Sequence, residues 1–159
     1  MRKILTYILL LTICFGCFEK KTEWKTERSA IIFFSSEPKN ETFTLTFKKN
    51  ENSLIYQYVS HIDTSKTIFI KKTLESNFIL FGSEKFIKTD KKPFKNEKLN
   101  DLEFEFYNIE NPITDGTGPI LFNPTYGLLA INNVFGPTII FLDEKNDTIT
   151  QQIITKLNE

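Results

Sequence analysis

The sequence predicts a mainly β protein: an antiparallel sheet curled into a sandwich or barrel-like meander, with one C-terminal α-helix. Three observations predict it. From Ser29 onward, apolar residues alternate with polar ones at the period of two that belongs to a half-buried strand. Short turn-rich clusters separate these runs, such as Glu37-Pro38-Lys39-Asn40, Lys49-Asn50-Glu51-Asn52 and Asp63-Thr64-Ser65-Lys66. Connections that short make hairpins and leave no room for crossover helices. Only the last stretch, residues 146–159, changes to a helical period.

The runs follow one another along the chain. "SAIIFFSS" opens the domain, and "ETFTLTFKK" sets Phe43, Leu45 and Phe47 on one face with Thr42, Thr44 and Thr46 on the other. "SLIYQYVSHI", "KTIFIKKT" and "NFILFG" come next. The stretch 84–98, "EKFIKTDKKPFKNEK", carries six lysines against three acids and reads as a solvated hairpin tip that could also meet lipid headgroups or an anionic envelope polymer. In "LEFEFYN", Leu102, Phe104 and Phe106 face inward, with Glu103 and Glu105 outward. "GPILFN", "YGLLAIN" and "PTIIFLDE" complete a set of about nine strands, a sheet size that needs its apolar face covered. In the tail, Ile149, Ile153, Ile154 and Leu157 form an apolar stripe on a helix too short to persist unless it docks on the sheet.

The N-terminus has a different design. Met1, Arg2 and Lys3 precede an uncharged run from Ile4 to Ile13, the layout of a secretory signal and too short to span a bilayer comfortably. Both cysteines follow, spaced C-x-x-C. A redox pair would open a helix in a βαβ unit, and a zinc site would need ligands that one histidine and two cysteines do not supply. The stretch Cys14-Phe15-Gly16-Cys17 instead resembles the lipobox of bacterial lipoprotein precursors, in residues 1–17 only. Cys14 stands where that family usually has leucine, and Phe15 where it usually has a small residue. The resemblance implies cleavage after Gly16, a lipidated Cys17 and a bacterial membrane location, on the periplasmic or cell-surface face. An ordinary cleaved signal or an uncleaved anchor is the alternative. The expected organisation is thus a signal peptide at 1–16, lipidated cysteine and tether at 17–28, and one β-rich domain at 29–159. Trp24, the only tryptophan, lies in that tether and sits either at the headgroups or against the domain.

Removing residues 1–16 leaves 143 residues, an ordinary single domain, with 18 basic against 20 acidic groups. Nothing in that balance suggests a nucleic-acid partner, which would show a strong basic excess. No cysteine follows Cys17, so the mature domain must hold together by its core.

Candidate chemistry is sparse. His61, the only histidine, has Ser60 and Asp63 beside it, but neighbours on a strand point to opposite faces, so no Ser-His-Asp constellation follows. Glu103 and Glu105 read as solvated charges better than as an acid-base pair. Asp115-Gly116-Thr117-Gly118 lacks the remaining residues of a phosphate loop or a calcium loop and reads as a turn. The glycines and prolines that follow predict bulges and corners, which makes Asp115, Gly116, Gly118, Tyr126 and Gly127 the candidate binding rim. No cofactor motif is present. The expected protein is a small lipid-anchored envelope protein with a non-catalytic binding or structural role, its partners the membrane and an envelope protein or polymer. Strands followed by a terminal helix also resemble the layout of lipocalin-type barrels, without their N-terminal Gly-x-Trp signature, which implies a carrier of an apolar ligand as the alternative and a small hydrolase as a remoter one.

Overall fold

The computed structural model describes residues 22–34, 37–112, 116–134, 136–142 and 147–159. They form a closed antiparallel barrel and one helix. The strands are β1 (Thr22–Phe34), β2 (Glu37–Lys49), β3 (Ser53–Ser60), β4 (Thr67–Thr73), β5 (Phe78–Phe81), β6 (Glu84–Lys88), β7 (Glu105–Ile109), β8 (Thr117–Asn123), β9 (Gly127–Asn133) and β10 (Thr138–Phe141). Each pairs with its neighbour in sequence, and β1 pairs with β10 from Ala30↔Phe141 to Phe33↔Thr138 to close the ring. The helix, α1, spans Asp147–Asn158. The signal, Cys17 and the first part of the tether lie outside the described residues.

Two sequence expectations are corrected. Residues 22–28, read as tether, are the first half of β1 and pair with β2 from Thr22↔Lys49 to Arg28↔Phe43. Their charges hid a strand that alternates Trp24, Thr26 and Arg28 on the lumen face. Residues 84–88, read as part of a loop, are β6, a short strand that returns from β5 through Gly82-Ser83 with Gly82 at φ +59. Phe86 is its fully buried lumen residue.

The barrel wall has two kinds of cover. Its lumen holds Phe43, Leu45, Tyr56, Tyr58, Ile70, Ile79, Phe86, Tyr107, Phe122, Leu128 and Phe141, among others. A second core lies outside, where α1 and residues 94–104 cover β7–β10 and part of β1. Ile149, Ile153 and Leu157 are buried there, with Ile154 packed alongside, against Leu121, Leu129, Ala130 and Ile140. Phe104 and Phe106 belong to this outer core, while Tyr107 faces the lumen. The phenylalanines read as inward are therefore buried under the helix side. Glu105 shares the lumen face with Tyr107, so it is not a freely solvated outward charge. Bulges interrupt the β8–β9 ladder between Thr117 and Ile120 and between Leu121 and Phe122, in the stretch where glycine and proline predicted them.

Candidate functional site

A barrel can bind inside, at its mouths or on its outer wall. The lumen is crossed by side chains. β3 and β8 lie opposite each other in the ring, yet the rings of Tyr56 and Phe122 meet edge to face at 5.2 Å. Tyr58 contacts Phe141 at 4.7 Å, and Phe141 contacts Phe43 at 5.3 Å. The β8–β9 turn ties the same walls. The Tyr56 hydroxyl donates to the Pro124 carbonyl, and Leu128 N–H donates to the Tyr58 hydroxyl at 2.8 Å. Gly127 sits at φ +91 beneath that hydroxyl, and a Cβ there would collide with it. Burial pushes the Tyr56 and Tyr58 phenols above their usual value, and raises Tyr107 to about 12, with the Glu105 charge adding to it.

One side chain sets that turn. Asn123 Oδ1 accepts from Thr125 N–H at 2.7 Å and Tyr126 N–H at 3.0 Å, while its amide donates to the Glu103 carbonyl at 2.8 Å. The turn thereby places the Tyr126 ring 4.5 Å from the Arg28 guanidinium and its hydroxyl 2.9 Å from the Phe141 carbonyl.

The mouth from which β1 starts is the proximal mouth; the other is the distal mouth. Lys72, in phase with the lumen residues Ile68 and Ile70, is buried at the proximal mouth. Its ammonium donates to the Thr73 carbonyl at 3.1 Å and to the Ser76 carbonyl and hydroxyl. Burial lowers its pKa, and the nearby Lys88 charge lowers it further. Lys88 pairs with Glu105 at 2.8 Å. At the distal mouth the Ser60 hydroxyl is held by Glu41 and accepts from Ile62 and Asp63 N–H groups. His61 is exposed and bonds Thr44 through Nε2 at 2.8 Å. Asp63 caps Ser65, and those bonds lower its pKa. The side chains of Ser60, His61 and Asp63 thus do not bond one another. Glu103 and Glu110 pair with Lys95 and Lys85 at 3.1 and 2.7 Å. Among the described residues no group of three His, Cys, Asp or Glu gathers as a metal site.

On the outer wall an open groove of about 640 Å³ runs between the 92–95 segment and α1. Lys92, Pro93 and Lys95 form one bank, and Thr148, Gln151, Gln152, Thr155 and Lys156 the other, over the buried ring of Phe94. The helix builds this bank because its apolar stripe is turned to the wall, which leaves amides and hydroxyls outward. Gln152 also accepts from Asn96 at 3.0 Å, which joins the banks at one point. Amides, hydroxyls and lysines suit a ligand that carries hydroxyls and negative charge.

The residues predicted as a rim do not converge. Gly116 is buried and Gly118 sits at the β8 bulge, both toward the distal mouth. Tyr126 and Gly127 lie at the opposite end of β8, roughly 20 Å away at about 3.3 Å per residue. Asp115 and Cys17 lie outside the described residues. Sequence reasoning missed Asn123, whose signal is Asn-Pro-Thr-Tyr-Gly after an apolar run, and Lys72, whose signal is its phase with Ile68 and Ile70. The lysines of 92–95 were noticed, but nothing local said that α1 would lie beside them. Compared with known proteins, the chain matches no family model, no curated protein and no solved structure.

Proposed function

We propose that the chain is a lipid-anchored protein of the bacterial envelope, tethered through Cys17, and that its barrel is a packed scaffold for non-catalytic binding on the outer wall. The partner is an envelope polymer or protein surface that presents hydroxyls and dispersed negative charge to the groove between residues 92–95 and α1. The observation that carries this reading is the contrast between inside and outside. Rings from opposite walls meet across the lumen, while an opening of about 640 Å³, well within the range of ligand sites, lies on the outer wall. Lysines without arginines fit a diffuse anionic partner better than a clamped phosphate.

Two measurements test it. Cys17→Ser should release the chain from membranes or stop its processing; a serine variant that is still cut before residue 17 and fractionates with membranes removes the anchor. Lys95→Glu with Lys156→Glu should lower retention of the protein on isolated cell-wall or polysaccharide fractions at least several-fold. Unchanged retention removes the groove. Barrel closure itself favours a second reading, the carrier of an apolar ligand. Stoichiometric uptake of a fluorescent fatty acid, blocked by a bulkier residue at Leu128, would replace the groove reading with that one.

A further inference from the structure

The two mouths of the barrel differ in charge. The proximal mouth is formed by the start of β1, the β2–β3 and β4–β5 turns, the segment after β6 and the β8–β9 turn. It carries Lys25, Lys48, Lys49, Lys71, Lys91 and Lys92 against Glu23, Glu51, Glu75 and Asp90. Among the described residues the distal mouth carries Lys39, Lys66 and Lys85 against Glu41, Asp63, Glu84 and Glu110. The proximal mouth is therefore net positive and the distal one net negative. The proximal mouth exposes Trp24 at 37% and Leu74 at 44%, and the distal mouth exposes Phe34, Ile62 and Val134 more fully, so charge and the reach from Cys17, not apolar exposure, single out the proximal mouth. Trp24 stacks on Phe47 at 5.0 Å, so its indole is held in a fixed orientation with one face still open.

We infer that the proximal mouth is a docking surface for an anionic lipid bilayer, with Leu74 and Trp24 at headgroup depth and the surrounding lysines over the lipid phosphates. The inference rests on the Cys17 anchor and extends it from a tether to a fixed orientation. Chain length supports it. Five peptide steps separate Cys17 from Thr22, a reach of at most roughly 18 Å at about 3.6 Å per residue. An acyl group on Cys17 would hold this mouth, and not the distal one, near the bilayer. Lysines next to an anionic surface are attracted within a Debye length, about 8 Å at physiological ionic strength, and a tether of at most roughly 18 Å lets this mouth reach that distance. Indole favours the interface, and a leucine at a turn tip can enter it without unfolding the barrel. The negative mouth, facing away, avoids the like charge of the surface.

The single tryptophan gives a direct reading. The full chain is purified from bacterial membranes, its mass is measured intact, and it is placed in phosphatidylcholine vesicles with or without phosphatidylglycerol. With phosphatidylglycerol, Trp24 emission should shift to shorter wavelength and be quenched by brominated lipid, with acrylamide quenching reduced at least about threefold. Without phosphatidylglycerol, or in Lys49→Glu with Lys91→Glu, most of that protection should be lost. A lipidated chain whose Trp24 stays equally open to acrylamide in both vesicles and in detergent overturns the docking and leaves the anchor standing. An intact mass without an acyl group overturns the anchor and the docking with it.

Discussion

The wall from β2 to β6 and the wall from β7 to β10 belong to one sheet, yet they obey different burial rules. In β3 the buried residues alternate, with Tyr56 and Tyr58 in the lumen and Gln57 and Val59 half exposed between them. In β8 and β9 consecutive residues are buried, as in Ile120-Leu121-Phe122 and Leu128-Leu129-Ala130. The first wall has water on its outer face. The second has α1 and the 94–104 segment there. A strand covered on both faces needs a continuous apolar run, and a strand covered on one needs alternation. The difference teaches where each wall can change: the first can vary its outer residues freely, and the second has no free face.

Substitutions can break that comparison. The largest expected effect is Ile153→Asp, which puts a charge between helix and wall and should cost roughly 4 kcal/mol or more in chemical denaturation. The same charge at Thr46, on the water side of β2, should cost no more than about 1 kcal/mol. If the two losses are equal, the outer core is not a stability element. Next come neighbouring pairs. Leu121→Ala and Phe122→Ala should each cost about 2–5 kcal/mol, because each faces a core. Across the barrel, Tyr56→Ala should cost as much, while Gln57→Ala should stay within about 0.5 kcal/mol. A costly Gln57→Ala would mean the first wall is also covered. Gly127→Ala, at φ +91 under the Tyr58 hydroxyl, should cost about 1–3 kcal/mol and weaken protection of the Leu128 amide in hydrogen exchange.

A further effect is confined to alkaline pH. Tyr56, Tyr58 and Tyr107 have raised values in the fold. The unfolded chain therefore ionises them first, near 10, and stability is full below that pH and falls above it. Each tyrosine contributes up to about 1.4 kcal/mol per pH unit until its folded value is reached. Lys72, lowered in the fold, works the other way, gaining stability as pH rises toward 10.5. The net expectation is a melting midpoint steady through neutral pH and declining above about 10. Tyr107→Phe should shallow that decline.

Much of the barrel was legible because alternation is a local signal. "ETFTLTFKK" assigns each residue of β2 to a face without reference to anything else. The misreadings were of context. Trp24-Lys25-Thr26 looks like a tether because its charges face water, and it is a strand because β2 offers a ladder. β6 has one lumen residue, Phe86, and was swamped by lysines, although the Gly82-Ser83 pair ahead of it carried a hairpin signal. In "LEFEFYN" alternation told which residues are buried but not which layer buries them, since that depends on a helix some fifty residues later. The groove was illegible for the same reason: its banks come from separate stretches brought together by packing. The glycines did predict the β8–β9 bulges, but strand direction put Gly118 and Gly127 at opposite mouths.

The seam between β1 and β10 has a consequence for the order of folding. Ala30 and Phe141 are about 110 residues apart, whereas every other pairing joins neighbours in the chain. Hairpins form in about 1–10 μs, but a contact across so long a loop must meet its closure entropy late. A chain emerging N-terminus first thus zips as an open ribbon and seals only when its last strand arrives. Until then β1 presents a bare edge to any passing strand. Pulse-labelled hydrogen exchange should protect the β2–β3 amides before those shared by β1 and β10. A chain cut before Thr138 should remain an unsealed, self-associating ribbon.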